Sequence, residues 1–132
     1  MGLEGTQHTE LTHAAEMGQL ADVQTRLAAG DSVDDKDGDG YTALILAARY
    51  GHQPVVELLL ALGAQVNATQ AHDKTALMYA ADEGHTEIAR RLIEAGATPS
   101  LRSKGGTTAL KVARIRGHNE IVAMLVQAGA TE

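Results

Sequence analysis

Residues 37–69 read DGDGYTALILAARYGHQPVVELLLALGAQVNAT, and the order of residue types in this stretch decides the fold. Asp37-Gly38-Asp39-Gly40 is turn chemistry, with glycine supplying positive φ angles. Thr42 suits a helix start, because its hydroxyl can accept from the first free backbone N–H groups. Ala43 to Tyr50 makes two helical turns with Leu44, Ala47 and Ala48 on one face. Gly51 suits the left-handed position that ends a helix. Pro54 falls in the first turn of a second helix, where a missing N–H costs nothing. Val55, Val56, Leu59 and Leu60 give that helix its apolar stripe, and Gly63 closes it. Ala64 to Thr69 is an extended exit. The unit is therefore turn, helix, tight turn, helix and extended finger.

The unit recurs. Thr9, Thr42, Thr75 and Thr108 are 33 residues apart, as are Leu11, Leu44, Leu77 and Leu110, and Ala14, Ala47, Ala80 and Ala113. Two glycine series keep the same step: Gly18, Gly51, Gly84, Gly117, and Gly30, Gly63, Gly96, Gly129. A fixed period of this length means stacked units, each too small to bury its own apolar face. It divides one domain, 1–132, into units at about 4–36, 37–69, 70–102 and 103–132. Gln19, Asp22, Thr25 and Arg26 replace apolar residues of the later units, so the first unit reads as a polar N-terminal cap. The last unit keeps Ile121, Val122, Met124, Leu125 and Val126 in its second helix, with no comparable cap.

Composition agrees with thin layers of small side chains. Hydrophobic residues make up 44% of the chain but aromatic residues only 2%, so Leu, Ala, Val and Ile must build the core. No run of 18 or more residues is apolar enough for a transmembrane helix, and the N-terminus lacks a secretory pattern. The absence of cysteine removes disulfides, thiolate metal sites and a cysteine nucleophile, and fits a cytoplasmic setting. Residues 1–66 carry three Lys/Arg against ten Asp/Glu, a net of −7; residues 67–132 carry eight against seven, a net of +1. An acidic first half argues against nucleic-acid binding, which needs a basic stripe.

The segments that suggest chemistry resolve into turns and caps. Asp35-Lys36-Asp37-Gly38-Asp39 begins like a calcium loop, but the twelfth position, which needs a bidentate Glu, is Leu46. His52, His85 and His118 follow the period, yet stacked helices sit about 8–10 Å apart, too far for three imidazoles to converge on one ion. They are not read as a metal site. His8 and His13 have the wrong spacing for a zinc-protease motif, and no serine lies in a nucleophile turn. Asp82-Glu83 reads as a solvated acidic edge. No catalytic residue, metal site or cofactor is assigned, and the chain is not expected to be an enzyme.

The chain resembles the ankyrin repeat family. The resemblance rests on Gly40-Tyr41-Thr42-Ala43-Leu44, Ala47-Ala48, Gly51-His52, Val55-Val56, Leu58-Leu59-Leu60 and Gly63-Ala64-Gln65-Val66-Asn67. It continues through Asp73-Lys74-Thr75-Ala76-Leu77, Gly84-His85, Thr108-Ala109-Leu110, Gly117-His118 and Gly129-Ala130, and covers nearly the whole chain. Two departures run through it: the usual Pro after the Thr is Glu10, Ala43, Ala76 and Ala109, and the usual His after the Leu is Thr12, Ile45, Met78 and Lys111. The resemblance implies an all-α solenoid of four stacked helix-turn-helix units with extended finger loops, in which His52, His85 and His118 help fix the turn between helices. It also implies a protein–protein interaction module whose concave face binds an unknown protein or peptide.

Mapped residue by residue, that face places Asp39, Tyr41, Arg49 and Tyr50 in the second unit, His72, Lys74, Asp82 and Glu83 in the third, and Ile115 and Arg116 in the fourth. Tyr41, Arg49 and Tyr50 are the leading anchors, since Tyr and Arg combine large area with hydrogen bonding. Tyr79 is expected to be half core. A monomer is expected, with no nucleic acid or membrane partner. Self-assembly through the final unit, or a metal response at Asp35–Asp39, are the alternatives.

Overall fold

The computed structural model describes residues 9–131; His8 and Glu132 lie outside them. Eight helices follow one another in pairs among these residues: α1 Glu10–Glu16 and α2 Leu20–Ala28, α3 Ala43–Arg49 and α4 Gln53–Ala61, α5 Ala76–Glu83 and α6 Thr86–Glu94, and α7 Ala109–Arg116 and α8 Asn119–Gln127. The first helices α1, α3, α5 and α7 pack side by side in one layer, and α2, α4, α6 and α8 form a second layer behind them. This is an all-α repeat solenoid.

Each first helix starts as the threonine period predicts. Thr9, Thr42, Thr75 and Thr108 are extended N-cap residues whose hydroxyls accept the backbone N–H three residues on. A cap of this kind is worth about 1 kcal/mol, which matters for helices of two turns that would not persist alone. The Thr–Leu–Ala periods then face inward. Leu11, Leu44, Leu77 and Leu110 are buried, and so are Ala14, Ala47, Ala80 and Ala113, whose small side chains let the first helices approach closely. Truncating one such leucine to alanine costs about 2–5 kcal/mol.

The histidines do more than fix a turn. His52, His85 and His118 precede α4, α6 and α8, and each ring reaches back to the preceding unit. Their Nε2–H groups donate to the carbonyls of Glu16, Arg49 and Asp82 at 2.8, 3.1 and 3.1 Å. The rings lie on the glycines that end those first helices. A Cβ on Gly18, Gly51 or Gly84 would stand 2.5, 2.9 and 2.7 Å from the ring. The first glycine series is therefore required twice, by positive φ and by the ring. Gly117 also has positive φ, but no ring lies on it.

The fingers have their own period, at 37, 70 and 103. Asp37 Oδ1 accepts the N–H groups of Asp39 and Tyr41 at 2.9 and 3.0 Å. Gln70 Oε1 does the same for His72 and Lys74 at 2.7 and 3.0 Å, and Ser103 Oγ accepts from Thr107 at 3.2 Å. Asp, Gln and Ser share nothing but an acceptor oxygen, and that is what the turn uses. In the acidic finger the buried Asp37 carboxylate is thus engaged in holding the loop. Among the described residues no group of three or more His, Asp or Glu is placed to hold a metal ion.

The ends differ from the interior. Gln19, Asp22 and Thr25 are exposed, as a polar N-terminal flank requires. The fourth unit carries a cap that its sequence alone did not reveal. Lys111 and Arg114 stand exposed at the positions where Ile45 and Met78, and Ala48 and Ala81, are buried between units. The second helix of this unit stays partly apolar, with Val126 at 50% exposure.

Candidate functional site

The first helices and fingers together form one face, and its side chains come from two places in each unit. Tyr41 and Lys74 immediately precede the capping threonines, so they sit where each finger meets its helix. Arg49 is the last residue of α3 and Tyr50 its C-cap; Tyr79 lies in the middle of α5. Stacking brings the end of α3 beside the middle of α5.

The result is an arginine held among three tyrosines. The Arg49 guanidinium carbon lies 5.9, 5.2 and 5.0 Å from the ring centroids of Tyr41, Tyr50 and Tyr79. Its Nη1–H donates to the Tyr41 hydroxyl at 3.1 Å, and the Tyr41 and Tyr79 hydroxyls are 3.0 Å apart. The Tyr41 and Tyr79 rings are tilted by 41° with centroids 6.1 Å apart. Cation–π contacts of this kind are worth about 0.5–2 kcal/mol each, more where water is excluded.

The electrostatics follow from this enclosure. Burial works to lower the Arg49 pKa, but Tyr41, Tyr50, Tyr79 and Glu83 together raise it, so the guanidinium stays charged. Burial pushes the Tyr79 phenol well above its ordinary range, with the Tyr41 hydrogen bond adding to the shift and Arg49 opposing it. Tyr79 therefore remains neutral and serves as a hydrogen-bonding hydroxyl.

Next to this cluster is a groove of about 260 Å³ between the third and fourth units. Met78, Tyr79, Val112 and Ile115 give it apolar walls, and Lys74, Asp82 and Arg116 line it as well. Lys74 Nζ lies 5.6 Å from the Tyr79 ring centroid. Arg116 Nε and Asp82 Oδ1 are 2.7 Å apart, an ion pair across the two units. Both are partly in water, so the pair contributes at most about 1 kcal/mol. Ile115 is 70% exposed, and Tyr50 46%.

The structure thus brings together Tyr41, Arg49 and Tyr50, and places Lys74, Asp82, Ile115 and Arg116 around the adjoining groove. Tyr79 belongs to both. At 7% exposure it is more buried than the half-core position expected, and its hydroxyl and ring complete the cluster. The register offers a signal for it: Tyr79 lies 30 residues after Arg49, one helical turn before the Arg49 position in the next unit. Asp39 and His72 stand apart from the cluster, whereas Glu83 is near enough to Arg49 to help raise its pKa. Asp39 and His72 are exposed on the fingers, where their carbonyls accept from Ala71 and Lys104 at 3.3 and 2.9 Å and tie successive fingers together. Glu83 is exposed at the end of α5.

Comparison with known families agrees with this architecture. The ankyrin repeats family in its three-copy form matches residues 67–131, and in its many-copy form residues 27–77. The two matches overlap and together run from residue 27 to residue 131. No curated protein matches the chain.

Proposed function

We propose, since the chain belongs to the ankyrin repeat family, that it binds a protein or peptide partner in the groove formed by its fingers and first helices, with Tyr41, Arg49 and Tyr50 as anchors. Ankyrin repeats are generally protein–protein interaction modules and typically not enzymes. The observation that carries the reading is the fixed Arg49 beside an open groove. Binding costs about 0.5–1.5 kcal/mol for each flexible side chain that must be immobilised. Three rings already hold this arginine, so much of that cost is met before a partner arrives. Of its five N–H donors, one goes to the Tyr41 hydroxyl, which leaves others for a partner's carbonyl or carboxylate.

Asp39, His72, Lys74, Asp82, Glu83 and Arg116 form a polar rim in this reading, where contacts tune rate and selectivity more than affinity, and Ile115 is an apolar wall of the groove. Lys111 and Arg114 on the final first helix favour a monomer, since stacking another unit there would bury both charges. No helix among the described residues is long and apolar enough to cross a membrane. A cytoplasmic setting belongs to the same reading and is supported by the lack of cysteine. The test is parallel affinity capture from native cell extract with the wild-type chain and Arg49→Ala. A protein recovered by the first and lost from the second supports the groove; identical recovery overturns it.

A further inference from the structure

We propose that the groove takes an extended peptide whose charges run in one fixed order along the solenoid. An apolar side chain of the peptide enters the groove beside Ile115, acidic residues lie over the finger at 101–107, and basic residues lie over the finger at 35–41. This rests on the binding role given to the face above, and adds the partner's chemistry and polarity.

The finger row carries a charge gradient. Segment 35–41 holds three Asp against one Lys, a net of −2; segment 68–74 holds Asp73 against Lys74, a net of 0; segment 101–107 holds Arg102 and Lys104 with no acid, a net of +2. Asp35 and Asp39 are exposed at one end, and Arg102 and Lys104 at the other. Arg102 donates to the Gly106 carbonyl at 3.1 Å, which fixes its charge on the finger without neutralising it. Among the described residues, neither Arg102 nor Lys104 has a carboxylate in ion-pair contact. The groove lies toward the basic end, between the fingers at 68–74 and 101–107, with Lys74, Ser103 and Thr107 in its lining; Asp82 and Arg116 pair there, and Met78, Val112 and Ile115 make its walls apolar.

Lengths decide whether such a gradient can orient a chain. Stacked units advance about 8–10 Å each, so the outer fingers are about 20 Å apart. An extended peptide rises about 3.3 Å per residue, and about six residues join the two ends. Charges in water are screened over about 8 Å at physiological salt, so each finger acts on the peptide residues opposite it and not on the far end. A peptide laid in reverse would meet like charge at both ends.

A displayed library of random peptides, selected on the 132-residue chain, tests this. The expected selectants combine an apolar residue with an acidic residue nearby and a basic residue about six positions away. Lys104→Glu should weaken them roughly tenfold at low salt, with less effect at high salt, and circular dichroism should be unchanged. Selectants that are lost on Ile115→Asp or Tyr50→Ala but show no charge order, or that bind Lys104→Glu as tightly as wild type, overturn the directional inference and leave the groove standing. Selectants that bind Ile115→Asp and Tyr50→Ala unchanged overturn both.

Discussion

His85 lays its imidazole on Gly51 and donates its Nε2–H to the Arg49 carbonyl at 3.1 Å. The same contact that stacks the third unit on the second therefore fixes the end of α3, which carries Arg49 and Tyr50. Scaffold and candidate site share one joint. The strength of that joint can be separated from ordinary turn strain, because Gly117 has the same left-handed backbone with no ring on it.

Gly51→Ala is expected to destabilise the chain more than Gly117→Ala. Both variants place a Cβ at positive φ, a cost of about 1–2 kcal/mol. Only at Gly51 would the Cβ stand 2.9 Å from a histidine ring. Thermal melts of the two variants give the difference, and equal losses would mean the ring contact adds nothing.

The finger acceptors are open to a similar comparison. Asp37→Ala leaves the N–H groups of Asp39 and Tyr41 without their acceptor and should cost about 1–3 kcal/mol. Asp37→Asn keeps an oxygen in place and should recover most of it. Amide hydrogen exchange at Asp39 and Tyr41 reports the change directly; protection unaltered in Asp37→Ala would contradict the role.

Tyr79 predicts a loss of stability in alkali. Its phenol holds its proton more tightly folded than unfolded, because burial and the Tyr41 hydrogen bond outweigh Arg49. A raised folded pKa gives stability that is fully present below the ordinary phenol value of about 10 and is lost as pH rises from there toward the folded value. Melting temperature should fall above pH about 10 in the wild type, and less steeply in Tyr79→Phe. Identical slopes would show that Tyr79 is not the group responsible.

Much of the fold was legible because the period repeats the same residue for the same reason. Each Thr caps a helix, each Leu and Ala faces the core, and each glycine turns the chain. What escaped was carried by function shared between unlike residues, or by contacts across units. Asp37, Gln70 and Ser103 share only an acceptor oxygen, so no identity marks them as a series. Lys111 and Arg114 form a cap by departing from Ile45, Met78, Ala48 and Ala81, which becomes visible once those are seen buried between units. Tyr41, Arg49 and Tyr50 could be placed on one face from the resemblance to the family. Their joining with Tyr79 depends on how closely α3 and α5 stack, which spacing along the chain does not give.

The claim that the Arg49 cluster is a binding surface is tested most directly at Tyr50. The residue is 46% exposed, and its contact with the cluster is a cation–π stack with Arg49. Calorimetric affinity for a captured partner should be measured on the wild type and on Tyr50→Ala, with melting temperatures compared alongside. The account predicts binding weakened at least about tenfold with the fold retained. Equal affinity in the two proteins would contradict it.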